Sequence, residues 1–134
     1  MRILVERPPL FDLIKATFPL AVRPGTLFSW GDIIYNPGNI AIPASLIAHE
    51  TIHGWRQGAD IEGWWRRYLD DPQFRLAEEI PAHIEEYRVI CESGGRHERR
   101  TGLVSLARRL SGPLYGHLIS LDAAKKAIRH DARR

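Results

Sequence analysis

Pro43-Ala44-Ser45-Leu46-Ile47-Ala48-His49-Glu50-Thr51-Ile52-His53-Gly54-Trp55-Arg56-Gln57-Gly58 reads as a single helix. Proline suits a helix start, Leu46, Ile47, Thr51, Ile52 and Trp55 supply apolar positions, and Gly58 provides the stop. Within it, His49 and His53 are four residues apart, so they lie one above the other on one face. Two neutral imidazoles so stacked reach a single ion, and they are good zinc ligands at about 2.0–2.1 Å. Glu50 lies about 100° further round the helix. It is therefore near such an ion but poorly placed to bind it. There it can take a proton from water whose pKa zinc lowers from about 15.7 towards 7. The plainer alternative is a helix whose two histidines satisfy core hydrogen bonds.

Outward from this helix the pattern changes on both sides. Leu10 to Phe18, between Pro9 and Pro19, predicts a short helix with Phe11, Ile14 and Phe18 on one side. Leu27-Phe28-Ser29-Trp30, Ile33-Ile34-Tyr35 and Ile40-Ala41-Ile42 are short β-like runs, parted by Gly31-Asp32 and Asn36-Pro37-Gly38-Asn39. They predict a two- or three-stranded meander. Downstream, Ile61, Trp64, Trp65, Tyr68 and Leu69 follow helical spacing, and the stripe reads as core. Asp71 and Pro72 look like the N-cap and first residue of a long helix to about Glu92, ended by Ser93-Gly94-Gly95. Leu103 to Leu110 and Leu121 to Ile128 predict two further helices. The expected class is α+β, a small antiparallel sheet followed by helices, in one domain spanning all 134 residues.

Composition removes several classes. Hydrophobic residues make up 44% and charged residues 26%, which is globular and not disordered. The net charge of +3 is concentrated late, from Arg96 to Arg134, without interleaved aromatics. This reads as a solvated basic surface, and nucleic acid is not an expected partner. Cys91 is the one cysteine, so no internal disulfide or CxxC motif exists, and its helical apolar setting predicts an inert thiol. The apolar start is too short for a signal peptide. The longest uncharged stretch, Ile33 to Ala48, is broken by Pro37, Gly38 and Pro43 and cannot span a bilayer as a helix. A cytoplasmic protein is expected.

Two histidines do not complete a catalytic zinc site, which ordinarily has three protein ligands and one open position. A metzincin would place a histidine where this chain has Ala59, and no cysteine is near. Glu78, Glu79, Glu85 and Glu86 on the Asp71–Glu92 helix are candidates, with His83 as an outside one. Glu78 and Glu79 differ by about 100° around the helix, so only one can face the ion. Glu79-Ile80-Pro81-Ala82 has the form ExxA, where a small residue lets helices approach. Periodicity alone leaves the choice open.

The stretch from Ala48 to Arg88, with His49–Gln57 followed by Trp64–Glu79, resembles small metallopeptidases encoded by bacteriophages and bacteria. It is similar, more distantly, to minimal gluzincins and to the ImmA/IrrE regulatory peptidases. The resemblance implies a minimal zincin-like fold, in which the sheet packs on the HExxH helix and a glutamate-bearing helix. It implies zinc ligands His49, His53 and Glu79, Glu50 as general base, and a peptide or protein substrate, with a virion-associated location as an alternative to the cytoplasm. The chain departs from the gluzincin pattern in two places. His83 stands where an aspartate often supports the first histidine, and Pro81 falls inside the predicted helix, where a kink is expected. Tyr87, Tyr115, His117 and several arginines are candidate oxyanion donors. Ile33–Tyr35 or Ile40–Ile42 is expected to supply an edge strand for an extended substrate. Three other readings stand beside peptide-bond hydrolysis: a vestigial zinc-binding phage structural or assembly protein, a regulatory peptidase cutting one DNA-binding partner, and a basic nucleic-acid module.

Overall fold

The computed structural model describes the backbone of residues 1–132 and the side chains of residues 1–129. The order of elements is β1 (Arg2–Leu4), α1 (Phe11–Thr17), a 3-10 turn (Pro19–Ala21), β2 (Phe28–Trp30), β3 (Ile33–Tyr35), α2 (Ala44–Gln57), α3 (Ile61–Asp70), α4 (Pro72–Ser93), α5 (Arg96–Leu110) and α6 (Leu121–Ala132). The class is α+β. No helix among the described residues is long and apolar enough to cross a membrane.

The sheet is mixed, not antiparallel throughout. Its order is β1-β3-β2, with β2 antiparallel to β3 and β1 parallel to it. Ser29 pairs with Ile34 across the β2–β3 turn, and Ile3 pairs with Ile34 from the other side. The expected third strand, Ile40–Ile42, does not form. The Asn36 side chain takes both backbone groups of Ile40, donating to its carbonyl at 2.9 Å and accepting from its amide at 3.2 Å. Those groups are then unavailable to a ladder.

The helices follow the sequence signals closely. Asp60 caps α3 by accepting from the Gly63 amide, and Asp71 caps α4 by accepting from the amides of Gln73 and Phe74. Helix α4 runs through Pro81. Helix α5 starts seven residues before the expected Leu103, because its first two turns, Arg96–Thr101, are exposed and carry no apolar period. Two cores result. One gathers Ile14, Phe28, Trp64, Trp65, Tyr68 and Leu69 between the sheet, α1 and α3. The other gathers Tyr87, Leu106, Leu110 and Ile128 between α4, α5 and α6, with half-buried Cys91 against it. Helices α2 and α4 pack together in the middle.

The close fit of α2 on the sheet depends on Gly54. A Cβ there would lie 2.1 Å from the Gly31 carbonyl oxygen, so only glycine lets the helix sit on the β2–β3 turn. Gly31 itself has φ of 61°, the left-handed region that this tight turn needs.

Candidate metal centre

The packing of α2 against α4 sets two imidazoles of α2 against one carboxylate of α4. Nε2 of His49 lies 3.4 Å from Oε1 of Glu79, and Nε2 of His53 lies 3.1 Å from Oε2. All three residues are almost wholly buried. A tetrahedral zinc with ligands at 2.0–2.1 Å keeps neighbouring ligand atoms about 3.3 Å apart. Each imidazole–carboxylate separation is therefore of the size found between two ligands of one ion, although the two imidazoles face different oxygens of Glu79 and the set whose atoms all lie within 4.8 Å of one another is His49, Glu79 and His83. The Glu79 Oε1 atom is buried and has no hydrogen-bond donor among the described residues. Such an orphaned carboxylate oxygen calls for a positive partner, and a divalent ion fits this donor set.

Charge is strongly coupled here. Burial alone pushes the His49 imidazole down, but the facing carboxylates of Glu79, Glu86 and Glu50 outweigh it, so its pKa is pushed up to about 9. Burial would raise Glu79, yet the facing imidazoles of His53 and His49 hold its carboxyl well below the usual carboxylate range. A proton on His49 and a cation at the centre thus compete for one place.

His49 is oriented from behind. Its Nδ1 lies 2.8 Å from Oε1 of Glu86, which only accepts, so the proton of the neutral ring sits on Nδ1 and the Nε2 lone pair faces Glu79. Glu86 is in turn bound by Arg109 of α5. This is the support expected at position 83, delivered instead one turn further along α4.

His83 has another task. Its Nδ1–H donates to the Glu79 carbonyl at 2.7 Å, and its Nε2 accepts from Nε of Arg109 at 3.2 Å. Burial, then the charges of His49 and Arg109, hold its pKa well below the usual histidine range. His49, Glu79 and His83 do each present one atom within 4.8 Å of the others. However, both His83 nitrogens are committed, and it could bind an ion only by releasing Arg109. Glu78 points away, accepting from Trp64 Nε1 at 2.6 Å and from Arg56 Nη2 at 2.7 Å. Glu85, half-buried, pairs outwards with Arg88 at 2.5 Å.

Glu50 is buried beside the pair, where one carboxylate oxygen, Oε2, accepts from Ser29 Oγ of β2. Tyr68 of α3 donates to Oε2 of Glu79 at 2.5 Å. Burial, then the negative Glu79, raise its pKa well above the usual tyrosine value, so the phenol keeps its proton. A cavity of about 210 Å³ opens onto these groups and is walled by Phe18, Leu27, Trp64, Leu69, Leu114 and Tyr115, with Arg75 and Arg109 among its lining. Of the candidate oxyanion donors, Tyr115 lines this cavity, Tyr87 lies in the α4–α5–α6 core and His117 is an exposed loop residue.

Neither expected substrate edge is available. Ile33–Tyr35 is the central strand, and the strand beside α2 is β2. The outer side of β2 is already occupied: the Ser29 carbonyl accepts from Gln57 Nε2 and Trp65 Nε1, both at 2.9 Å, and the Gly31 amide donates to Gln57 Oε1 at 2.7 Å.

Ser29, Tyr68 and Arg109 were not marked by the sequence as parts of a centre: Tyr68 belonged to the core stripe, and the other two carry no spacing signal relative to His49. Glu86 was marked as a candidate ligand, and it stands behind His49 instead. No protein-family model, no curated protein and no solved structure matches this chain.

Proposed function

We propose that the chain is a zinc-dependent peptidase that hydrolyses a peptide bond with Glu50 as general base. The observation that carries this reading is that His49 Nε2 and His53 Nε2 both face the buried carboxylate of Glu79, whose Oε1 has no hydrogen-bond donor among the described residues, with Glu50 alongside. Zinc bound there would acidify a water and polarise the substrate carbonyl. The chain's own groups divide the remaining work. Glu86 fixes the His49 tautomer, and Tyr68 steadies Glu79. Ser29 holds one oxygen of Glu50, and the other is free to take the proton of the attacking water and return it to the departing amine.

Purified protein is expected to hold close to one zinc per chain and to cleave a mixed peptide pool. Glu50→Gln should keep the zinc and lose about 10²–10⁴ in rate. Failure to take up zinc, or a Gln variant as fast as the parent, overturns the reading. A second reading, a zinc-binding protein without turnover, is favoured by the occupied edge of β2. It predicts stoichiometric zinc with no cleavage of any peptide in the pool.

A further inference from the structure

Arg75 of α4 lines the same cavity and is only 5% exposed. Its Nε donates to the Tyr115 carbonyl at 3.1 Å, and its Nη1 donates to the carbonyls of Tyr68 and Leu69 at 2.8 and 3.3 Å. The guanidinium also lies 4.5 Å from the centroid of the Phe18 ring. Two of its three nitrogens are thereby fixed by neutral partners. The third, Nη2, makes no hydrogen bond among the described residues, and no carboxylate pairs with this charge.

A buried cation without a counter-charge is costly and rarely kept. The contrast with Arg109 is direct, since that guanidinium is matched by Glu86. A dication among His49, His53 and Glu79 would cancel the charges of Glu79 and Glu50. Arg75 would then remain as the one uncompensated charge of the cavity wall. Three carbonyls hold the planar fork in place, and Nη2 is left over for an anion.

We propose that Arg75 is a carboxylate-binding subsite, so that the cavity takes a peptide group carrying an apolar side chain and a nearby carboxylate. This rests on the peptidase reading for its substrate class. The carboxylate is that of a chain terminus or of an acidic side chain, and the two sources can be separated.

The test measures binding of three small probes by NMR titration, to the zinc-loaded chain and again after chelation. They are N-acetyl-phenylalanine, its C-terminal amide, and the C-terminal amide of N-acetyl-glutamate. A carboxylate probe is expected to bind at least about tenfold more tightly than the phenylalanine amide. That preference should shrink to within about twofold in Arg75→Gln and survive in part in Arg75→Lys. A preference for N-acetyl-phenylalanine identifies a chain terminus, and one for the glutamate amide identifies a side chain. Equal binding of all three probes overturns the subsite, as does a preference that persists in Arg75→Gln or disappears only when zinc is removed. Should Arg75→Gln fail to fold, the Lys variant and the acid–amide comparison on the parent chain still decide. A chain that takes up no zinc would sink the peptidase reading while leaving the Arg75 preference measurable.

Discussion

Glu86 acts on the centre through His49, so its loss should register in metal affinity as well as in the stability lost when Arg109 is left unpaired. Partners of this kind are worth about 10–100-fold in affinity. Glu86→Ala is therefore expected to weaken zinc by that factor in a chelator competition, while Glu85→Ala, whose carboxylate pairs outwards with Arg88, leaves it unchanged. Equal affinities in the two variants would count against the assigned role. Protonation makes a second prediction at this scale. His49 must release a proton held up to about pH 9 before it can bind an ion, so zinc affinity should climb about tenfold per pH unit from neutrality towards that value. The sign for stripped protein is opposite. A raised histidine pKa stabilises fully below the unfolded value near 6.5, and this contribution fades as pH passes through about 9. Thermal melts of chelated protein between pH 6 and 10 check it, and a flat profile would refute it. The pair His49 and His53 was legible because four-residue spacing is local. Glu86 was legible only as one of four candidate ligands and Arg109 not at all, since a charged residue on a helix looks the same whether it faces water or a buried imidazole.

At the scale of elements, α2 is positioned by a contact that no side chain makes. Gly54→Ala would drive a methyl group into the Gly31 carbonyl and lift the helix from the β2–β3 turn. Overpacking of this kind costs about 1–3 kcal/mol. The variant should melt earlier and bind zinc more weakly, because His53 is the preceding residue. Gly25→Ala, with nothing within 4 Å of the added carbon, serves as the control and should stay within about 0.5 kcal/mol of the parent. Matching melts for both variants would remove this explanation of Gly54. Capped helices were legible from the sequence: Asp60 and Asp71 mark their own starts. Strands were legible only where a tight turn joins neighbours, as at Gly31-Asp32. The parallel pairing of Arg2–Leu4 with Ile33–Tyr35 joins segments far apart in the chain and leaves no local mark. Ile40–Ile42 misled because its apolar run is outweighed by the bonds from Asn36 to Ile40.

For the whole molecule, the ligands come from two helices that are distant in sequence, so an ion would tie them together. An ion that binds only the folded chain adds about 2.7 kcal/mol at a hundredfold excess over Kd. For a chain of this size that is a rise of roughly 10 °C in Tm, removed by chelator. A zinc-independent melting curve would argue against a centre joining α2 and α4. The Gln57 side chain bears on a different property, how copies of the molecule behave towards each other. Its carboxamide bonds the Ser29 carbonyl and the Gly31 amide, the two groups that a neighbouring strand's peptide unit would use. In effect it is a one-residue counterfeit strand, and it shields β2 from edge-to-edge aggregation. Gln57→Ala should therefore scatter light more steeply with concentration than the parent chain.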